Sequence, residues 1–284
     1  MSQAIEIKPL TPTIGAEVRG VDLSQSISKE TFEQIHDAWM QHLVLFFRDQ
    51  DMTAEQHLDF GRRFGELHIH PAAPFLHGNP ELMRIHTDKD SRIQNGAGWH
   101  SDVSADEEPP LGSILHLHQV PPNGGDTLFA NMYAAFDALS EPIRNLLIGL
   151  EAHHVADYTN QYGDHKPQRE YPKAVHPVVR THPVTGRQAL FVNSGFTRRI
   201  RGMSRVESDA LLDMLFKHVT NPAFQCRFQW QPNSIAMWDN RCVQHLAIWD
   251  YYPQTRSGIR VTVKGDRPFF REEDVEMEAN RNAA

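Results

Sequence analysis

The stretch Trp99-His100-Ser101-Asp102 holds the residue types that most readily do chemistry together. In extended backbone, side chains alternate between faces with a period of two, so His100 and Asp102 point one way and Ser101 the other. A neutral imidazole beside a carboxylate supplies two of the three ligands of a 2-His-1-carboxylate iron site, a set that leaves other metal positions open. The same pair can equally be a histidine hydrogen-bonded to its neighbour. The chain has 17 histidines and 36 acidic residues among 284. An isolated His-x-Asp therefore arises readily by chance, and the surrounding sequence has to decide.

Two further histidine pairs share a face if extended. His68 and His70 lie in Glu66-Leu67-His68-Ile69-His70-Pro71 with no third metal partner nearby, which favours a substrate-contacting or structural role. His116 and His118 lie in a strand-like run and read as structural. Arg198, Arg199, Arg201 and Arg205 form a basic cluster that reads as a solvated surface rather than a phosphate site. Cys226 and Cys242 match no zinc spacing and make no disulfide framework, as expected of reduced thiols in a cytoplasmic protein.

The elements that must position these residues are many short strands with helices inserted. Residues 5–8 and 16–21 alternate as strands. Ser28 can cap a helix through about His42, with Phe32, Ile35 and Trp39 on one side at helical spacing. The apolar run Leu43–Phe47 predicts a buried strand. Thr53 and Gln56 form a capping box for a second helix, which Gly65 ends. Strands are predicted at Leu82–His86, Ile114–Val120, Val175–Arg180 and Gln188–Val192, then near 224–230, 234–238 and 258–264. Pro121-Pro122-Asn123-Gly124-Gly125 is a tight turn that delivers Asp126 and Thr127 to another strand. Asn131, Ser140 and Ser204 can each cap a helix, Ser204 in a box with Glu207. Residues 157–173 are polar and aperiodic, as in a lid over a site. The tail 271–284 is charged and predicted to be disordered. The pattern suggests a mainly β chain with flanking helices and a double-sheet jelly roll, which closes its edges and leaves a mouth for ligands. With no repeat or linker visible, residues 1–270 read as one domain.

The totals narrow the classes. A formal charge of −8 argues against a general nucleic-acid binder. No run of about 18 apolar residues exists to span a membrane, and the first ten residues lack the basic start and apolar core of a signal peptide. Neither nucleic acid nor a membrane is expected as a partner, and a homo-oligomer is compatible with the sequence.

Taken together and in order, the motifs resemble the taurine dioxygenase family of iron(II)- and 2-oxoglutarate-dependent oxygenases. His100-Ser101-Asp102, Gly124-Gly125-Asp126-Thr127, Trp238-Asp239-Asn240, His245, Arg256 and Arg260 carry the resemblance. So do Phe64 to Pro71, Phe191-Val192-Asn193 and Gly195-Phe196-Thr197, and it runs from about residue 5 to residue 270. It implies a double-stranded β-helix (jelly-roll) core with His100, Asp102 and His245 as iron ligands. Thr127 and Arg256 would bind the distal carboxylate of 2-oxoglutarate. That role suits a guanidinium, which grips a carboxylate bidentately. Arg260 would take the anionic head of the substrate, with His70, Val103 and Phe196 at other substrate-side positions. The implied reaction consumes O₂ and 2-oxoglutarate and hydroxylates a small organic anion. Taurine or another alkanesulfonate leads, with sulfite release. Alkyl sulfate esters and aryloxyalkanoates follow.

The chain departs from the taurine pattern where a Tyr is expected at Ala73, an Asn at Gly96 (unless Asn95 serves) and a lid aromatic at Asn160, near Tyr158 and Tyr162. Lost bulk and lost polar contacts point to a larger or more apolar anion. Two rivals use the same residues. A zinc hydrolase would need a water-activating base and leaves Thr127 and Arg256 idle. A non-catalytic jelly-roll protein that keeps only an anion pocket has no need of an intact ligand set.

Overall fold

A computed structural model describes residues 5–76, 78–92, 96–158 and 169–272. Most of the lid segment predicted at 157–173, with Asn160 and Tyr162, lies outside the described residues, as do Asn95 and all but the first two residues of the predicted tail.

The chain opens with β1 (Glu6–Pro9), β2 (Ala16–Arg19), α1 (Lys29–His42), β3 (Val44–Phe47) and α2 (Ala54–Arg62). Then come β4 (Phe75–Leu76), β5 (Asn79–Thr87), β6 (Gly112–Gln119), β7 (Thr127–Asn131), α3 (Met132–Asp137) and α4 (Glu141–Leu147). The middle contains β8 (Glu151–Val155), β9 (Lys173–Pro177), β10 (Val179–Thr181), β11 (Gln188–Leu190), β12 (Thr197–Ile200) and α5 (Arg205–His218). It closes with β13 (Gln225–Phe228), β14 (Ser234–Asp239), β15 (Val243–Ala247) and β16 (Arg256–Val263). The protein is mostly sheet with few helices.

Eight strands form one sheet in the order β1-β2-β3-β14-β6-β16-β5-β4. Smaller sheets have the orders β13-β7-β15 and β12-β8-β9, and β10 pairs with β11. All described pairings are antiparallel except β2 with β3. The middle of the large sheet is buried on both faces, which is why its strands read as continuous apolar runs rather than alternations. Leu45 and Phe47, Ile235 and Met237, and Ile114 pack with Ile35 and Trp39 of α1 and Phe60 of α2. Their neighbours Phe46, Ala236, Trp238, Leu115 and Leu117 face the other way, onto Phe129, Phe228 and Val243 of the β13-β7-β15 sheet. Phe46 stacks on Phe228 with centroids 4.0 Å apart and meets Phe129 edge-on at 5.6 Å. Such pairs add about 0.5–1.5 kcal/mol beyond their buried area. The site forms between these two facing sheets.

The predicted caps are present where a helix must start against the sheet. Ser28 accepts from the Thr31 amide, and Thr53/Gln56 and Ser204/Glu207 form complete capping boxes, each worth on the order of 1 kcal/mol. Ser140 precedes α4 but makes no side-chain cap bond. Gly65 does not cap α2, which ends at Arg62 with Arg63 in right-handed backbone. The single strand predicted over Val175–Arg180 is two strands. β9 pairs with β8, and after Val178 the chain continues as β10, which pairs with β11. Among the described residues, no helix is long and apolar enough to cross a membrane.

Candidate active site

His100 and His245 face each other across an isolated antiparallel bridge. The His245 amide donates to the His100 carbonyl at 2.8 Å and the His100 amide to the His245 carbonyl at 3.2 Å. The segment carrying His100 thereby extends the β13-β7-β15 sheet, and the rings lie 4.2 Å apart. Asp102 follows at the expected spacing, with Oδ1 3.7 Å from His100 Nε2. One ligand atom from each of His100, Asp102 and His245 falls within 4.8 Å of the others.

The electrostatics suit a cation there. His100 Nδ1 lies 2.8 Å from the Gly98 carbonyl, so it carries the proton, and Nε2 turns its lone pair toward Asp102. Burial pushes both His100 and His245 below the usual imidazole range, which keeps the rings neutral. Burial alone would raise the Asp102 carboxyl. The Arg260 guanidinium, with a hydrogen bond from Ser113, holds it well below the usual carboxylate range. His245 Nδ1 is buried with no hydrogen-bond partner. Two neutral imidazoles and a carboxylate at this separation fit a divalent iron with open positions.

A second charged group stands nearby. Arg256 is 3% exposed, and no carboxylate lies within ion-pair distance of it among the described residues. Its Nε donates to the Gly125 carbonyl at 3.1 Å and its Nη2 to Thr127 Oγ1 at 3.4 Å. Burial pulls its pKa down to about 10. The Gly124-Gly125 turn sets this geometry. Gly124 has φ +75°, and a β-carbon on it would lie 2.4 Å from Asp250 Oδ1, the atom that accepts the Gly125 amide at 2.8 Å.

Both groups open onto one cavity of about 380 Å³. His70, His100, Asp102, Val103, Thr127, Phe196, His245, Arg256 and Arg260, the nine residues singled out from sequence, all line it. Arg256 and Arg260 share a face of β16, opposite Thr87 and Met83 of β5. Arg260 bridges two roles. Its Nη1 lies 2.7 Å from Asp102 Oδ1, its Nη2 reaches Met83 Sδ at 3.0 Å, and its Nε is buried with no partner among the described residues. His70 Nδ1 accepts the amides of Ala72 and Ala73 at 3.1 and 2.8 Å, so the ring proton sits on Nε2. Burial and then Arg260 keep that ring neutral. Val103 has φ +45°, a rare conformation for a β-branched residue, and is 1% exposed beside the ligand pair.

Sequence reasoning missed Asp157, which also lines the cavity, as does Tyr158, one of the two tyrosines near the expected lid aromatic. An aromatic ring does face His70. Tyr158 lies 5.0 Å from His70 and 6.1 Å from Phe196. Gly96 lines the wall with φ +85°, and a β-carbon there would touch His100 Cε1 at 3.4 Å. The Arg260–Asp102 ion pair was also unforeseen.

The remaining candidates are structural. His68 Nε2 bonds Asp106 at 2.7 Å, and Asp106 also takes Arg169. His116 and His118 pack against each other and His57, away from the cavity. His182, Asp239 and Cys242 also lie within ligand range of one another. There, however, Asp239 is gripped through both oxygens by Arg241, and His182 Nδ1 accepts two backbone amides. Every partner a metal would need is already engaged. Arg198, Arg199, Arg201 and Arg205 make local surface bonds.

The sequence profile of the family described as taurine catabolism dioxygenase TauD, TfdA family matches residues 6–262. The chain is 36% identical over 279 residues to an alpha-ketoglutarate-dependent sulfate ester dioxygenase of Pseudomonas putida, covering 93% of this chain and 91% of that one. A crystal structure of a taurine dioxygenase from Burkholderia xenovorans superposes with TM-score 0.84 at 37% identity, covering 95% of this chain and 94% of that one. The structure of AAD-2 in complex with Mn(II) and N-oxalylglycine superposes with TM-score 0.76 at 30% identity, covering 93% and 99%.

Proposed function

Since the chain belongs to the TauD, TfdA family, it is an iron(II)- and 2-oxoglutarate-dependent dioxygenase, and we propose that it hydroxylates a small organic anion held between Arg260 and His70. The observation that carries this reading is the convergence of all nine residues on one cavity, with a two-histidine, one-carboxylate set on one wall and an unpaired Arg256 on another. We read the two facing sheets as a double-stranded β-helix, or jelly roll, and residues 1–270 as one oxygenase unit. Two free, buried cysteines fit a cytoplasmic setting.

His100, Asp102 and His245 would hold the metal. Iron bound there supplies the oxidising chemistry that couples decarboxylation of 2-oxoglutarate with O₂ to hydroxylation of a C–H bond. The protein binds, orients and excludes water. Arg256 and Thr127 take the distal carboxylate, for which a buried guanidinium without a counter-ion is preorganised. On the substrate side, His70 contributes a neutral ring to the cavity wall. Arg260 offers Nε, which has no partner among the described residues, and Nη2, which has only a thioether. These donors suit the oxygens of a sulfonate, sulfate or carboxylate head. Val103, Phe196 and Tyr158 would hold the organic part dry and fix which carbon faces the metal.

We place alkanesulfonates, taurine among them, first. Hydroxylation next to sulfur gives an unstable product that splits to an aldehyde and sulfite. The Pseudomonas putida relative favours a second reading, an alkyl sulfate ester, which after hydroxylation would split to an aldehyde and sulfate. The test is aerobic succinate formation from 2-oxoglutarate with iron(II) and ascorbate across alkanesulfonates, alkyl sulfates and aryloxyalkanoates. One class should stimulate turnover, with sulfite or sulfate release separating the first two. Failure to bind either iron or 2-oxoglutarate would overturn the enzyme reading.

A further inference from the structure

Three buried groups, Asn240, Trp238 and Ser113, form a chain of bonds behind Asp102. Asn240 Oδ1 accepts the Asp102 amide at 3.2 Å and Trp238 Nε1 at 3.0 Å. Asn240 Nδ2 donates to Ser113 Oγ at 2.9 Å, and Ser113 Oγ donates to Asp102 Oδ2 at 2.6 Å. The direction of every bond is forced. A backbone amide and an indole N–H can only donate, so they fix the oxygen end of the Asn240 amide. Its nitrogen then faces Ser113, whose oxygen must accept, and the Ser113 proton is left for Asp102 Oδ2. The strand register makes the contact possible, because Ser113 of β6 lies opposite Trp238 of β14, two residues before Asn240. Ser113, Trp238, Asn240 and Asp102 are all at most 3% exposed, so no water competes.

The consequence is an asymmetric carboxylate. Oδ2 is held by Ser113. Oδ1 is the oxygen near His100 Nε2, and its other contact is Arg260, a cavity residue. We propose that Ser113 and Asn240 are positioning residues that hold Asp102 with Oδ1 turned toward the metal as a preorganised donor. The inference rests on the metal-site reading given above.

The test is Mn(II) titration of the metal-free full chain, with free Mn(II) followed by electron paramagnetic resonance, alongside the thermal midpoint of the metal-free protein. The parent should bind Mn(II), and His245→Ala should abolish that binding. Loss of an outer-shell partner of a ligand costs roughly 10–100-fold in metal affinity. Ser113→Ala should therefore bind Mn(II) at least about tenfold more weakly while melting cooperatively, and Ser113→Thr, which keeps the hydroxyl, should recover most of the affinity. A purely structural role would lower the midpoint and leave the affinity of the folded protein unchanged. Folded Ser113→Ala with affinity within about twofold of the parent would overturn the inference. If Ser113→Ala does not fold, Asn240→Asp gives the same comparison, since the new carboxylate draws the Ser113 proton away from Asp102. A parent that binds no Mn(II), or a His245→Ala variant that binds it as the parent does, would instead overturn the metal-site reading.

Discussion

Arg256→Met should stabilise the ligand-free protein and abolish its response to 2-oxoglutarate. Burial lowers the Arg256 pKa from 12.5 to about 10. At about 1.4 kcal/mol per unit, the desolvated charge costs the fold about 3 kcal/mol. Its compensation is modest, namely one carbonyl, one threonine hydroxyl and a cation–π contact with Trp230 at 5.4 Å. Methionine fills similar space and packs well on an indole. The variant gives up about 1 kcal/mol for the orphaned Gly125 carbonyl. The net gain is about 2 kcal/mol, or several degrees in thermal midpoint. The folded-state pKa lies below the unfolded one, so the cost is present in full at pH 7 and is relieved only as pH rises above about 10. Ligand binding should change in the opposite sense. A bidentate charged contact is worth about 3–6 kcal/mol at about 1.5–3 per bond. The variant should therefore lose 2-oxoglutarate affinity by about 100-fold or more, and with it the rise in midpoint that the cosubstrate gives the parent. Differential scanning fluorimetry with and without 2-oxoglutarate reads both effects. A variant that melts below the parent without ligand yet keeps the 2-oxoglutarate shift would refute the reasoning.

Three other outcomes follow from the same geometry. His57 and His116 are held neutral by burial, with pKa values of about 3 and about 4. Folding stability should be intact above about pH 6.5 and fall by several kcal/mol as pH drops toward 4. His116→Leu, which removes a buried titrating ring, should flatten that fall in urea titrations run from pH 7 to 4. Asp250→Ala frees the Gly125 amide and should raise the KM for 2-oxoglutarate roughly tenfold at unchanged substrate KM, from the loss of about 1–2 kcal/mol. Asp250→Asn keeps the acceptor oxygen and should restore the parent value in the same succinate assay. Arg260→Ala should raise the requirement for the organic anion by about 100-fold and leave that for 2-oxoglutarate within a few-fold. The reverse pattern would exchange the roles of the two arginines.

How far the sequence could be read depended on whether a strand's inner face was apolar. β3 and β14 are covered on both faces, so their runs of consecutive apolar residues were legible. β15 was not, although it carries His245. Val243, His245 and Ala247 point one way, and the site needs a polar ring in the middle of that row. The requirement that makes the strand functional erases its hydrophobic alternation. β8 was hidden similarly by the buried His154, and β12 by a register shift between Thr197 and Arg199 that leaves two consecutive arginines exposed. Helix starts were easier, because a capping box is a local pattern that needs no distant partner to be recognised.

The site itself was legible in its residue types and illegible in its pairings. Spacing put His100 beside Asp102 and Arg256 on the same face as Arg260, and both follow from a period of two. No local pattern states that Ser113, 11 positions on, donates to Asp102, or that Asn240, 138 positions on, accepts the Asp102 amide. Those contacts exist because β14 and β6 pair in one particular register, and a one-residue slip would turn Ser113 to the helix-covered face. The same holds for Arg260. Its contact with Asp102 spans 158 residues and, on the proposed roles, places the substrate-side cation on the metal-side anion. An anionic substrate that draws Arg260 into the cavity must therefore compete with Asp102 for it. A cation at the three-ligand site would favour that exchange by taking over the Asp102 charge. Metal binding and substrate binding should thus each strengthen the other, and by linkage equally. Isothermal titration of an alkanesulfonate into parent and Arg260→Lys, with and without Mn(II), would measure the coupling. Equal sulfonate affinity in the parent with and without the metal would show that the Arg260–Asp102 pair does not link the two sites.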